Sequence, residues 1–172
     1  MAQVGGDTGD GVRLPTLEMK KDENLLVIGG NMKRNASAMW NGGFKNGKGT
    51  ISTESGVLSD TPYSFLARFE DGTGTNPEEL IGAAHAGCFT MALSLQLEQA
   101  GLTADSIETR ASVVLEKVDT GFAITSVHLD VKAKVPGATR EVFQTAANDA
   151  KAGCPVSKVL NAQITMEAKL EE

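Results

Sequence analysis

The alternation of apolar and polar residues is lost in one stretch, residues 77–100, where nearly every position is small or apolar. Asn76 is a favourable N-cap residue, and Pro77 suits the first helical position because the amide hydrogen that proline lacks would be unpaired there. Gly101 supplies a left-handed stop, so the pattern predicts a helix from Pro77 to about Ala100. A helix that is apolar on nearly every side is expected to be buried on nearly every side.

Outside this helix, apolar residues alternate with polar ones in short runs, which is the period of half-buried β-strands. Before the helix, the pattern predicts strands over residues 36–40, 49–53 and 63–69, separated by turns rich in Gly, Asn, Asp and Pro. After the helix, it predicts a hairpin that turns at residues 119–121 and carries a bulge near Ser126.

The last part of the chain predicts a second helix, a short third helix and a final strand over residues 164–170. Thr139 caps the second helix, Gly153 ends it, and Cys154 with Pro155 starts the short one. Strands and helices are therefore grouped along the chain and do not strictly alternate. This order favours an α+β fold over a doubly wound sheet.

Residues 1–31 differ from the rest, since they are rich in Gly, Asp and Lys and hold one short apolar run at 25–28. We predict that residues 1–31 are an N-terminal extension, or a segment foreign to the domain, of unknown role. Residues 32–172 then form a single domain, the default for a chain of 172 residues.

The chain carries a net charge of −6 without a basic cluster, so nucleic acids and anionic membranes are disfavoured as partners. We find no secretory signal and expect no segment that crosses a bilayer, which favours a cytoplasmic protein. In that compartment a pair of cysteines is more often catalytic, redox-active or metal-binding than structural.

Cys88 and Cys154 are the candidate reactive groups. Cys154 lies at the start of a predicted short helix, where the helix dipole lowers a thiol pKa, whereas Cys88 lies mid-helix and needs an outside cation such as an arginine. Local physics therefore makes Cys154 the more acidic thiol. Two alternatives stay open: a non-catalytic stress or packing protein with inert thiols, and a zinc site of Cys88, Cys154 and His85.

Arg68 lies on the third predicted strand, either at a rim or facing an acidic partner, and Glu78 lies in the first turn of the long helix. A glutamate there also simply complements the helix dipole. Glu78 precedes Cys88 by ten positions, which at about 1.5 Å per residue is roughly 15 Å along a helix. The two side chains can share a site only if the helix breaks or a second chain supplies Glu78.

Residues 75–89 (TNPEELIGAAHAGCF) and 151–160 (KAGCPVSKVL) resemble the signature segments of the OsmC/Ohr family, the osmotically inducible protein C and organic hydroperoxide resistance proteins. Residues 48–58 and 121–125 also resemble the OsmC branch of that family. The match covers essentially residue 32 to the end of the chain. It implies an OsmC-like α+β fold, with antiparallel strands packed on the central buried helix, in an intertwined homodimer with two active sites at its interface.

The resemblance also implies a thiol-dependent peroxidase that reduces organic hydroperoxides, and hydrogen peroxide less well, to alcohols without a metal or other cofactor. Cys88 resembles the peroxidatic cysteine and Cys154 the resolving cysteine of the family. Arg68 occupies the position of the arginine that stabilises the thiolate, and Glu78 that of the glutamate that orients this arginine. An interface site would let the partner subunit supply Glu78, which removes the difficulty of the separation along the helix.

In the implied cycle, the Cys88 thiolate attacks the O–O bond and becomes a sulfenic acid, which condenses with Cys154 to a disulfide. A cellular dithiol then restores both thiols. We expect apolar residues near the site, with Phe89 and Met91 among them, to favour a substrate that carries a hydrocarbon body.

Overall fold

Six strands, in two separate three-stranded sheets, and four helices make up residues 31–171, the part of the chain that the computed structural model describes. All of these elements belong to one unit that begins at Asn35. The predicted extension over residues 1–31 lies, apart from its last residue, outside the described residues. The division of the chain at residue 32 therefore stays a prediction.

The first sheet consists of three antiparallel strands in the order β1-β2-β3. They are β1 (Ala36–Asn41), β2 (Lys48–Thr53) and β3 (Thr61–Ser64).

The predicted strand over residues 63–69 is wrong beyond Ser64, because the chain there forms a short helix, α1 (Phe65–Phe69). The Ser64 hydroxyl accepts a hydrogen bond from the Ala67 amide at 3.1 Å and so caps α1, which is a role that serine favours. Arg68 consequently lies on a helix and not on a strand face.

The long helix α2 (Pro77–Gln99) begins and ends as its sequence predicts. The Asn76 side chain accepts a hydrogen bond from the Glu79 amide at 2.8 Å, and Gly101 has a φ of +74°. Its burial differs from the prediction, because within one chain only one face of α2 is buried. That face consists of Gly82, His85, Phe89, Leu93 and Leu97.

The second sheet holds the predicted hairpin of β4 (Ser106–Val118) and β5 (Gly121–Lys134), which are antiparallel. Their register shifts between Val114 and Leu115, where Thr125 is left over on β5, so the predicted bulge is present. Strand β6 (Gln163–Glu171) pairs with β5 in parallel.

The parallel pairing follows from the connection between β5 and β6. Parallel neighbours need a long crossover, and here it contains α3 (Arg140–Gly153) and α4 (Pro155–Val159).

The hydrophobic core lies between α2, α3 and the second sheet. Its largest fully buried apolar side chains are Phe89, Phe143, Leu93, Leu97 and Leu129. Gly82 allows α2 to approach β4 closely, since a Cβ atom there would lie 3.3 Å from the Ala111 carbonyl oxygen.

By length and composition α2, with 23 residues, is also apolar enough to span a membrane, contrary to the expectation from sequence. The packing of its buried face on β4 and α3 is that of a globular core helix, and such helices meet the same criterion.

The described chain thus has two unequal regions. We call residues 36–69, with the first sheet and α1, the N-terminal arm, and residues 77–171, with α2 and the second sheet, the C-terminal lobe. Between the arm and the lobe, the rings of Phe69 and Phe122 meet at a centroid distance of 5.1 Å.

Candidate active site

The two cysteines lie side by side in the C-terminal lobe, although 66 positions separate them in sequence. Cys88 is near the middle of α2, and Cys154 joins α3 to α4 as the residue between them. Both thiols are free, and their sulfur atoms are 3.1 Å apart. Cys154 has no exposed surface, whereas Cys88 is half-buried.

The surroundings of the two thiols shift their pKa values in opposite directions. Burial raises the pKa of Cys88; the Val156 peptide group opposes this rise in part, and the adjoining Cys154 adds to it. Burial also raises the pKa of Cys154, but the peptide groups of Ser157 and Val156, the Ser157 hydroxyl and Cys88 outweigh burial and bring that pKa below its usual range. Within one chain Cys154 is therefore the more acidic thiol, as its position at a helix start predicts.

The first turn of α4 explains the low pKa of the Cys154 thiol. Cys154 is the N-cap residue of this helix, and the amide groups of the first turn have no partner within the helix. The Cys154 side chain forms no capping hydrogen bond of normal geometry. We attribute the stabilisation of the thiolate to the closeness of the Val156 and Ser157 peptide groups, whose amide hydrogens have no intrahelical acceptor.

A buried histidine adjoins the cysteine pair. His85 lies one helical turn before Cys88 on α2 and has no exposed surface. Its Nε2 atom is 2.7 Å from the hydroxyl oxygen of Ser157, 72 positions further along the chain. Burial lowers the pKa of His85, so its ring is neutral at neutral pH.

Arg68 and Glu78 form a second pair at the other end of α2. Arg68 Nη2 donates to Glu78 Oε1 at 2.7 Å, and Arg68 Nε donates to both carboxylate oxygens at 3.2 Å. The guanidinium also lies over the Phe69 ring, with Cζ 5.2 Å from the ring centroid. This forked ion pair with a stacked ring fixes the arginine in one orientation.

The structure therefore brings the four predicted site residues together as two pairs and not as one group. The hydrogen bonds of Arg68 go to Glu78, and no cation contributes to the shifted pKa of Cys88. Glu78 and Cys88 are on one continuous helix, about 15 Å apart along its axis at 1.5 Å per residue. One chain does not complete the predicted site.

An apolar cleft of about 270 Å³ adjoins Arg68 in the N-terminal arm. Aromatic rings dominate its walls, which are formed by Trp40, Phe44, Tyr63, Phe65, Phe69 and Pro77.

The residues that we expected to line the site, Phe89 and Met91, do not lie in this cleft. Phe89 is fully buried in the core, and 77% of Met91 is exposed on the opposite side of α2.

A zinc site of His85, Cys88 and Cys154 is not favoured by the geometry. Their ligand atoms do not meet within 4.8 Å of one another. Within residues 31–171, that spacing is found for His128, Asp130 and Glu167 on the exposed face of the second sheet. There Lys169 pairs with Glu167 at 3.1 Å, and His128 pairs with Thr165 at 2.7 Å.

Sequence reasoning missed the contact between His85 and Ser157. A signal was present for the position of Ser157 only, because Ser157 is the third residue after the N-cap Cys154. In the first turn of a helix the N-cap and N3 side chains are neighbours. The partner histidine could not be identified, since nothing in the sequence links it to a residue 72 positions away.

Comparison with known proteins identifies relatives of this chain. Residues 70–169 match the family described as OsmC-like protein. The chain is 56% identical to peroxiredoxin OsmC of Escherichia coli strain K12 over 138 residues, which are 80% of this chain and 96% of the relative. It is 35% identical to the organic hydroperoxide resistance protein OhrB of Bacillus subtilis strain 168, over 72% of this chain and 89% of that protein.

The fold has solved counterparts as well. The crystal structure of Bacillus subtilis OhrB superimposes with a TM-score of 0.59 and 29% sequence identity, covering 78% of this chain and 98% of OhrB.

Proposed function

The chain belongs to the OsmC-like protein family, and on that premise we propose that it is a thiol-dependent peroxidase that reduces organic hydroperoxides. Cys88 is the peroxidatic cysteine and Cys154 the resolving cysteine in this proposal. Arg68 stabilises the Cys88 thiolate, and Glu78 orients Arg68. The relatives named peroxiredoxin and organic hydroperoxide resistance protein support the reaction class.

The observation that carries the proposal is the contact between the two free thiols. Their sulfur atoms are 3.1 Å apart, and a disulfide bond requires about 2.05 Å, so a shift of roughly 1 Å is enough to form the bond. Inert core cysteines need no such contact, whereas a peroxidatic thiol requires a second thiol within reach to trap its sulfenic acid.

Activation of Cys88 requires a cation that one chain does not supply, since its pKa is raised there. We infer that Arg68 of the partner subunit, held by its own Glu78, meets Cys88 at a homodimer interface. A guanidinium next to a thiol lowers its pKa and favours the thiolate. The same guanidinium stabilises the oxygen anion that leaves when the O–O bond breaks.

The exposed surface supports a homodimer. The outer face of α2 presents Met91 and Leu95, which are 77% and 48% exposed although both are large apolar residues. At Gly87, on the same face, no atom of the chain lies within 4 Å of where a Cβ atom would be. An apolar helix face of this kind is expected to pack on a partner, and a twofold dimer would place the two copies of α2 together.

The reaction then proceeds in two thiol steps. The Cys88 thiolate attacks one oxygen of the peroxide, the O–O bond breaks, and the alkoxide takes a proton to leave as an alcohol. Cys154 attacks the resulting Cys88 sulfenic acid and releases water. A dithiol reductant exchanges with the disulfide to restore both thiols, which suits a cytoplasmic location where such reductants are kept reduced.

The cleft next to Arg68 explains a preference for organic over inorganic peroxides. Its aromatic walls can bury a hydrocarbon group, while the guanidinium faces the polar peroxide end. Hydrogen peroxide has no such group to bury and gains nothing from these walls.

A free-thiol count tests the proposal. Reduced protein is treated with one equivalent of cumene hydroperoxide, and thiols are counted before and after, with Cys88→Ser as the matched variant. We expect loss of both thiols to one disulfide per chain in the natural protein and no loss of Cys154 in the variant. If both thiols stay free in the natural protein, the peroxidase proposal is wrong.

A further inference from the structure

The hydrogen-bond partner of His85 gives this residue a defined direction of proton donation. His85 has no exposed surface, and its Nδ1 atom has no hydrogen-bond partner among residues 31–171. Among the described residues the ring bonds through Nε2, to the Ser157 hydroxyl at 2.7 Å.

Two neutral tautomers of His85 are possible, and their costs differ. If Nδ1 carried the proton, a buried N–H donor would stay unpaired, and an unpaired donor is rarer in proteins than an unpaired acceptor. If Nε2 carries the proton, it donates to the Ser157 oxygen, and only the lone pair of Nδ1 is left unpaired. We assign the second tautomer on this ground.

The hydrogen bond joins two helices beside the cysteine pair. His85 lies one helical turn before Cys88 on α2, and Ser157 is the N3 residue of α4, in the same first turn as the N-cap Cys154. The bond therefore ties the turn that carries Cys154 to the helix that carries Cys88.

We propose that His85 is a positioning residue for the resolving step: it donates from Nε2 to Ser157, and this hydrogen bond ties the first turn of α4 to α2, holding the Cys154 sulfur 3.1 Å from the Cys88 sulfur. The inference rests on the proposed function, since it concerns the attack of Cys154 on oxidised Cys88. It adds two residues, His85 and Ser157, to the four residues of the proposed site.

The step that these residues assist is balanced as follows. The Cys154 thiolate attacks the sulfur of the Cys88 sulfenic acid, an S–S bond forms, and the S–O bond breaks. The leaving hydroxide takes a proton from solvent and becomes water. Cys154 is oxidised and the Cys88 sulfur is reduced, so no further oxidant or cofactor is needed.

Two separate rates test the proposal in the full-length protein. Rapid mixing with cumene hydroperoxide gives the rate of Cys88 oxidation, and trapping with dimedone followed by mass spectrometry gives the lifetime of the sulfenic acid. In His85→Leu and Ser157→Ala we expect disulfide formation to slow about tenfold, because each loses the hydrogen bond that holds the first turn of α4 against α2. The rate of Cys88 oxidation should stay as in the natural protein.

His85→Gln is the conservative variant, since glutamine keeps an N–H donor at a similar reach. We expect it to form the disulfide nearly as fast as the natural protein. His128→Gln, on the exposed face of the second sheet, is the matched control and should change neither rate. A merely structural role would slow Cys88 oxidation and disulfide formation alike. The decisive result is therefore slower disulfide formation with an unchanged rate of Cys88 oxidation.

The possible failures can be told apart. If the natural protein forms no sulfenic acid, both the peroxidase proposal and this inference are overturned. If it does, and the sulfenic acid lives as briefly in Ser157→Ala and His85→Leu as in the natural protein, only the role of His85 is wrong. Should His85→Leu not fold, Ser157→Ala and His85→Gln decide, and a slow His85→Gln also contradicts the hydrogen-bond role.

Discussion

The C-terminal lobe and the N-terminal arm differ in what each can do alone. The lobe contains nearly the whole buried core, both thiols and the His85–Ser157 contact. The arm contains Arg68 and the aromatic cleft, but Ala67 is its one buried hydrophobic residue. The region with the cation is therefore the region that one chain stabilises least.

This difference shows why the site is incomplete within a single chain. The lobe by itself makes Cys154 acidic and Cys88 a poor nucleophile. The proposed chemistry needs Cys88 as the reactive thiolate. Only a cation from outside this chain can lower the pKa of Cys88 enough for that. In the proposed homodimer, an arm that lacks a core of its own would gain stability by packing on a partner, so folding and activation of Cys88 would have a common cause.

The largest expected effect tests the difference in stability directly. Phe143 is fully buried in the lobe, and Phe143→Ala should cost about 3–5 kcal/mol of unfolding free energy, measured by chemical denaturation. Phe65→Ala in the arm should cost less, and its cost should depend on protein concentration, because it acts through the dimer. If both variants lose the same unfolding free energy at every protein concentration, the lobe and the arm do not differ in stability as described.

Removal of the cation should have the next largest effect. Arg68→Ala should slow the reaction of Cys88 with cumene hydroperoxide about 100-fold, since one charge-stabilising group typically contributes that much. Stopped-flow measurement of Cys88 oxidation gives the rate. Arg110→Ala, a charge removed from the exposed face of β4, is the control and should react at the natural rate.

Hybrid dimers identify the chain that supplies Arg68. Mixing Cys88→Ser and Arg68→Ala subunits creates one site in which the natural Cys88 faces the natural Arg68 of the other chain. We expect peroxidase activity to rise when the inactive Cys88→Ser homodimer is mixed with the slow Arg68→Ala homodimer. If it does not rise although the subunits exchange, Arg68 does not act across the interface.

A smaller effect is expected from a charge on the exposed face of α2. Met91→Lys should separate the subunits with little loss in the stability of each, which light scattering after size-exclusion chromatography can show. Val142→Lys is the control, because Val142 is an exposed apolar residue of the same lobe on α3. A Met91→Lys protein that is still dimeric would exclude this face from the interface.

The smallest effect concerns pH. The pKa of Cys154 is lowered by folding, so its thiolate stabilises the fold fully above the pKa of an unfolded cysteine, and this contribution is lost as the pH falls through the lowered value. The test compares Cys88→Ser with the double variant that also carries Cys154→Ser. The difference in unfolding free energy between the two should grow as the pH rises from the lowered pKa to the pKa of an unfolded cysteine. A flat difference across that window, measured by denaturation, would contradict the lowered pKa.

Local signals in the sequence predicted much of the fold correctly. The caps of α2 follow from Asn76, Pro77 and Gly101, and the bulge in β5 follows from a change of phase in the alternating pattern. The prediction of a strand over residues 63–69 was wrong beyond Ser64. The alternating pattern there favours a strand, but a helix cap at Ser64 favours a helix and prevails. Ser64 bonds to the Ala67 amide, and this contact starts a helix that the aromatic pattern alone does not indicate.

The site was less predictable than the fold, because its contacts join distant segments. The roles of Cys88 and Cys154 came from the family resemblance, while local reasoning correctly ranked their acidity in one chain. The prediction that α2 is buried on all sides failed within one chain, since burial is a property of what surrounds a helix. The uniform apolar pattern of α2 is, however, what a helix with a core face and an interface would show.

The unequal burial of the two sulfur atoms has a consequence for how the cycle closes. In a disulfide of these residues, an incoming reductant could reach the half-buried Cys88 sulfur but not the fully buried Cys154 sulfur. The mixed disulfide would therefore form on Cys88, and Cys154 would depart. Because a thiol of low pKa departs faster, the environment that makes Cys154 a good nucleophile also makes it a good leaving group, and regeneration has a fixed regiochemistry.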